Sequence, residues 1–357
     1  MKTIEKTFSL PCAYPLEKLG VPEKTLFFDI ETTGLSADYS QVYLIGAICR
    51  LDGQWKMTQW FADTVRSEKD VLKAFFTYLE GFDTLIHFNG DTFDIPYLTK
   101  RAKHHRLSHT FGSVESIDIY KRIKPYKKLL SLENVKQKTV EAFLGIERED
   151  LYSGGQLIEV YYDYLETRED ALFHLLTLHN EDDLKGMPSI LSILHYPDFL
   201  QGSFRLVFPP ALLGDAQALR LTCRGESALP SGLENEMEYW RFYADGDTLT
   251  MDITLYNGPC KYFYPNPKDY YYLPLEDTAI HKSVAEFVDK GYRQKATAKT
   301  CYTKKCGCFL PQKQPLCSPV FQLEYKDKIT YAEYNEHTFE DDSILTEYIR
   351  HVLLSVK

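Results

Sequence analysis

The chain has 357 residues, 44% hydrophobic and 26% charged, with a formal net charge of −10. That length accommodates two ordinary domains, and that composition excludes a disordered or fibrous chain. No apolar run has the length of a membrane span, the start MKTIEKTFSL lacks the apolar core of a secretion signal, and the eight cysteines are too sparse for a disulfide scaffold; a cytoplasmic protein is expected.

The net charge alone argues against nucleic acid, but its distribution does not. Lys100 to Lys138 carries eleven Lys/Arg against three acids, and Lys290 to Lys313 carries seven with none. Basic islands on an acidic background suit phosphate, or else are solvated faces balanced by acids elsewhere.

After an N-terminal extension over 1–23, LFFDIET and QVYLIGAICR read as strands joined by a loop containing Gly34 and Ser36. WKMTQWFA is a third strand, reached through a tight turn at Asp52-Gly53. VLKAFFTYLEGF has helical spacing, TLIHFNG is a short strand, IPYLTKRAKHH a helix with one basic face, and VESIDIY a fifth strand. LSLENVKQKTVEAFLG, GQLIEVYYDYLE and ALFHLLTLHNEDDLKGMPSILSIL complete the region as helices. A three-strand meander followed by alternating strands and helices predicts a mixed five-stranded α/β sheet with flanking helices over 24–196.

Pro197, Gly202, Pro209 and Pro210 mark a boundary, and 202–357 is richer in Tyr, Phe and turn residues. EYWRFYADGDTLTMDITLY reads as a hairpin around Asp245-Gly246 and KYFYPNPKDYYYL as a strand pair. AIHKSVAEFVDKG and SILTEYIRHVLLSV read as helices. A smaller α+β domain is expected.

Asp29 and Glu31 stand two apart on the first apolar strand, so they project from one face. Asp94, in HFNGDTFDIPYL, either joins them or caps the helix that follows. Asp183, in HNEDDL on the last long helix, either joins them or is exposed beside Glu181 and Asp182. Four carboxylates at one point cannot all stay ionised without a cation, and hard oxygen ligands suit Mg²⁺ or Mn²⁺. Two such ions would serve a phosphoryl displacement.

DIETTGL, then NGDTFD, then HNEDD resemble, in order, the three motifs of the DEDD (DnaQ-like) exonuclease superfamily, which has an RNase H-like fold. HFNGDTFDIPYL with LYSGGQLIEVYYDYL and HNEDDL is most similar to the YprB-like branch of predicted exonucleases. The resemblance covers roughly residues 24 to 195. It implies a 3′→5′ exonuclease with Asp29, Glu31, Asp94 and Asp183 as ligands of two divalent cations, Mg²⁺ or Mn²⁺. Thr32, Gly34 and Leu35 would line the approach of the strand's 3′ end, with Leu35 against the terminal base. Asn89 would position substrate beside Asp94.

The superfamily orients its attacking water with a histidine five positions before the last Asp or a tyrosine four before it. Here His179 stands at the four-residue spacing and Leu178 at the five-residue one. One helical turn puts His179 and Asp183 on one face, where the imidazole is either a general base or a packing and hydrogen-bonding group.

Tyr120 and Tyr126, among KRIKPYKK, either stack on bases or pack an edge. Cys301, Cys306, Cys308 and Cys317 are either zinc ligands or ordinary thiols, since C-x4-C-x-C-x8-C is not a strong paired spacing. The expected partner is nucleic acid, a single strand or 3′ end of DNA or RNA, with no membrane. The alternatives are an inactive RNase H-like binder of nucleic acid and an RNase H-like endonuclease.

Overall fold

The computed structural model describes residues 1–112, 114–147, 154–214 and 217–356. It divides into two units, Met1–Pro197 and Asp198–Lys357. The strands of the first unit are β1 (Lys2–Phe8), β2 (Thr25–Thr32), β3 (Val42–Leu51), β4 (Gln54–Phe61), β5 (Thr84–His87) and β6 (Glu115–Asp118). They form one mixed sheet in the order β1-β4-β3-β2-β5-β6. The first four pair antiparallel, and β5 and β6 are added in parallel. Apolar residues on both faces drive β2 into the middle, where Leu26, Phe27 and Phe28 are fully buried.

The sheet has six strands, not the five expected. The sixth is β1, which lies within the stretch read as an extension. Its KTIEKTF has too few apolar residues to announce a strand, because only Ile4 packs on the core while the strand lies on the edge of β4.

Helices α1 (Glu68–Leu79), α2 (Asp94–His104), α3 (Ile119–Ile123), α4 (Gln137–Phe143), α5 (Gly154–Thr167) and α6 (Asp170–Ile190) flank the sheet. The helix expected from Leu130 is shorter. Ser131 has a φ of 53°, and the Asn134 side chain accepts from the Lys136 N–H and the Thr139 hydroxyl, so the helix begins only at Gln137. Among the described residues no helix is long and apolar enough to cross a membrane.

The second unit is β-rich. Strands β7 (Phe204–Leu206), β8 (Ala211–Leu213), β9 (Ala218–Gly225), β10 (Leu233–Glu236), β11 (Trp240–Asp245) and β12 (Thr248–Thr254) share one sheet. The hairpin expected at Asp245-Gly246 is β11–β12. A second sheet joins β13 (Tyr256–Phe263), β17 (Tyr302–Gln312) and β18 (Thr330–Glu333), and a third joins β14 (Tyr270–Leu273), β15 (Thr278–His281) and β16 (Gln294–Lys295). Among the described residues, the α-helices here are the short α7 (His195–Gln201), which runs across the division in sequence, and α8 (Asp342–Leu353).

Two expectations fail in this unit. KYFYPNPKDYYYL supplies two strands that belong to different sheets, because the two prolines and the 3-10 turn at Pro267–Asp269 make the link too long for a hairpin. AIHKSVAEFVDKG is not a helix but β15 followed by a 3-10 turn. Its apolar Val284 and Phe287, 59% and 90% exposed, have no face to bury.

One glycine fixes how closely α6 lies on the first sheet. Gly46 of β3 sits opposite Asp29 of β2 on one side and Gln59 of β4 on the other. A Cβ there would lie 2.0 Å from Asn180 Oδ1 and 2.5 Å from Leu184 Cδ1 of α6. Gly46→Ala should therefore cost about 1–3 kcal/mol through overpacking, read as a lower urea midpoint. Gly155→Ala, in open space, should leave the midpoint essentially unchanged.

Candidate metal centre

β2 carries Asp29 and Glu31 beyond the last residue that pairs with β5, since the parallel register ends at Phe27–Ile86. The strand edge left open there is taken by Asp94, in the first turn of α2, whose carboxyl accepts hydrogen bonds from the backbone N–H groups of Ile30 and of its own residue. Asp94 therefore does more than begin a helix.

From the other side α6 brings His179 and Asp183. His179 Nε2 lies 3.7 Å from Glu31 Oε1 and 3.6 Å from Asp183 Oδ2. Glu31, His179 and Asp183 each offer a ligand atom within 4.8 Å of the others. Asp29 and Asp94 stand outside that tight group, yet their charges are felt across it. The Asp29 carboxyl is driven well above its ordinary value by burial first, then by Asp183, Glu31 and Asp94, against one favourable hydrogen bond from Asn180. Burial, aided by Asp118 and Asp183, raises Asp94 to about 7 despite its backbone donors. No lysine or arginine figures among the groups that act most strongly on either acid. A donor set of mutually repelling carboxylates is chemistry that suits one or more divalent cations.

Three residues that sequence reasoning missed hold this arrangement. Asn180 Nδ2 donates to Asp29 Oδ2 at 3.0 Å, and Asn180 Oδ1 accepts from Gln59 Nε2 at 2.9 Å. Gln59 also donates to the Thr177 carbonyl at 2.9 Å. Tyr43, fully buried and stacked on Tyr161, has its hydroxyl pushed up by burial and then by Glu31 and Asp29. The available signals were Gly46 inside an otherwise apolar strand and an asparagine next to His179.

The residues expected to meet substrate are placed as follows. The Thr32 hydroxyl donates to the Gly34 carbonyl at 3.0 Å, which closes the start of the β2–β3 loop. Leu35 is 89% exposed. Asn89, with a φ of 65°, donates its N–H to Asp118 Oδ1 at 2.9 Å and accepts from the Thr92 hydroxyl at 2.8 Å. Of the neighbouring basic island, Lys100 pairs with Asp38, Lys121 with Asp91, and Arg101 is buried on Glu68. Lys103, Arg106 and Arg122 make no ion pair among the described residues. Tyr126 is buried and Tyr120 lies edge-on to Phe88, so both pack. Among the described residues no cysteine joins a group able to ligate metal.

Residues 26–195 match the family model of the RNase_H superfamily. Among solved structures, the family B DNA polymerase from the hyperthermophilic archaeon Pyrobaculum calidifontis is similar at 18% identity and a TM-score of 0.41, over 51% of this chain. The similarity spans 25% of that polymerase chain. No curated protein matches. The mixed sheet with its flanking helices is consistent with an RNase H-like fold.

Linkage gives a test of the metal-free site. Asp94 titrates near 7 when folded, against an ordinary 3.8, so the folded chain holds the proton more tightly. Its contribution to stability is present at low pH and is lost as pH rises from about 4 to about 7. In chelator, Asp94→Asn should make stability fall less steeply between about pH 4 and pH 7. At the upper end the variant should be the more stable protein by urea denaturation. An unchanged slope would remove the assignment.

Proposed function

We propose that this chain, built around an RNase H-like domain, is a metal-dependent nuclease that removes nucleotides from the 3′ end of DNA or RNA. The carrying observation is the group of Glu31, His179 and Asp183 within 4.8 Å of one another, beside the mutually destabilised Asp29 and Asp94.

In this reading Asp29, Glu31, Asp94 and Asp183 hold two divalent cations, Mg²⁺ or Mn²⁺. Bound there, such ions would make a coordinated water more acidic and would stabilise charge on the leaving oxygen. The chain does the rest. His179 Nε2, facing both Glu31 and Asp183, orients the attacking water and takes its proton. Asn180, fixed by Gln59, keeps Asp29 turned toward the site. Leu35 meets the terminal base from a loop tied down by the Ser40 hydroxyl, which donates to the Gly34 and Ser36 carbonyls. Asn89, a few residues before Asp94 in the chain and with its backbone N–H bound to Asp118, steadies the strand. Lys103, Arg106 and Arg122 take up backbone phosphates.

The test is purified protein with Mn²⁺ or Mg²⁺ on 5′-labelled single-stranded DNA and RNA of equal sequence. A ladder that shortens from the 3′ end is expected, and it should vanish in chelator and in Asp29→Ala. His179→Ala should slow cleavage by about 10²–10⁴-fold while Mn²⁺ binding, followed by calorimetry, persists. Equal cutting of a circular strand would overturn the end-directed reading. Binding without any cleavage would make the domain a nucleic-acid scaffold.

A further inference from the structure

Outside the RNase H-like domain, the third sheet of the second unit carries a surface that the catalytic reading leaves unused. We propose that the face of β14 and β16, with the 3-10 segments that flank it, binds single-stranded nucleic acid by base stacking and phosphate neutralisation. The inference is independent of cleavage, because it concerns other residues and a different measurement.

Tyr271 is at its centre. Cross-strand partners share a face of a sheet, and Tyr271 on β14 pairs in register with Lys295 on β16. The Arg293 guanidinium sits over the Tyr271 ring at 4.9 Å, and the Lys282 ammonium lies 5.7 Å from its centroid. Arg293 is anchored as well, donating to the Ala285 carbonyl. Lys282, Arg293 and Lys295 make no ion pair among the described residues. The contrast with their neighbours is informative, since Lys304 pairs with Asp277 and Lys305 with Glu333. The acids in the flanking 3-10 segments are Asp269, whose carbonyl accepts the Lys282 N–H, Glu286, and Asp289, whose side chain accepts the Gly291 N–H.

Beside these cations the same turns expose two aromatic rings. Phe287 is 90% exposed and Tyr292 is 58% exposed. Phe287 belongs to the segment whose apolar residues suggested a helix and which in fact turns that ring outward. Cations that make no ion pair, interleaved with exposed rings, fit a partner that has both phosphates and unpaired bases. A duplex hides its base faces, and an acidic polypeptide such as polyglutamate offers charge but no rings to stack.

The experiment is fluorescence polarisation of a labelled oligothymidylate with the full chain in chelator, so that no strand is cut. Lys282→Glu combined with Lys295→Glu should weaken binding at least about tenfold. It should also lower the slope of log affinity against log salt by about 0.7 for each phosphate that is no longer neutralised. Phe287→Ala and Tyr292→Ala, exposed positions whose truncation does not touch a core, should each weaken binding by about fivefold or more. Far-ultraviolet circular dichroism and a thermal melt check that each variant folds. Parental affinity in the charge variant, or competition by polyglutamate as effective as that by unlabelled oligothymidylate, would overturn the proposal. Because the parent is measured without metal, failure of this surface to bind and failure of catalysis are separate results.

Discussion

The first unit is arranged around an electrostatic debt at the end of β2. Asp29 is held well above its ordinary carboxyl range by burial and by three other acids, and among the groups that act most strongly on it the one that relieves it is the neutral amide of Asn180. Placing like charges together in a low-dielectric site is costly, and the cost persists until protons or metal ions meet it. The chain has 41 Lys and Arg residues, so cations are not scarce; they are used elsewhere.

Where they are used explains how the site stays in shape. Glu68 accepts two hydrogen bonds from Arg101, one from the Val42 N–H and one from His105, which fastens α1, α2 and β3 together. Arg101 also donates to the Ala37 carbonyl at 3.0 Å, so the same clamp holds the β2–β3 loop. Glu181, two residues after His179, pairs with Lys6 of β1 and Lys185 of α6. The edge strand and the helix that bears His179 are thus tied by one buried acid. Gly46 then allows α6 to approach until Asn180 touches both Gln59 and Asp29. These interactions fasten the elements that carry the acids, and held in place, mutually repelling carboxylates are a donor set that could bind a cation.

Much of this was legible in the sequence, because the informative signals are local. The apolar run before Asp29, the alternation in β3 and β4, and the helical spacing around His179 each depend on neighbours within a few residues. The acids could be grouped because a strand puts i and i+2 on one face and a helix puts i and i+4 together. What escaped was non-local. Lys2–Phe8 becomes a strand only because β4 offers it an edge, and Asn180 matters only because Gly46 of another element lets it through. The second unit was harder for the same reason. Tyr270–Leu273 is a strand in the expected place, yet its partners are β15 and β16 rather than the strand before it. Phe287 looked like a buried helical residue because a sequence gives a side chain's polarity, not whether anything covers it.

A second group of acids beside a histidine shows what distinguishes the centre at β2. His87, Asp91 and Asp118 also lie within ligating distance of one another. There, however, most of the polar atoms have partners within the protein, the buried Asp118 Oδ2 excepted. His87 Nδ1 accepts the Gly90 N–H at 3.0 Å, so the ring is satisfied as a neutral imidazole, and burial lowers its pKa in keeping with that. Its Nε2 lies 2.8 Å from the Ser116 hydroxyl, which donates in turn to Asp91 at 2.6 Å. Lys121 supplies Asp91 with a cation, and its presence holds that carboxyl below the ordinary range. Asp118 takes the N–H of Asn89. The two groups have similar atoms at similar distances, but in one the chain provides the counter-charge and in the other it provides more negative charge. Ligand-like spacing therefore does not by itself mark a metal centre. The discriminating feature is a site whose own residues leave its carboxyls destabilised, and in the first unit that condition is met where β2, α2 and α6 converge.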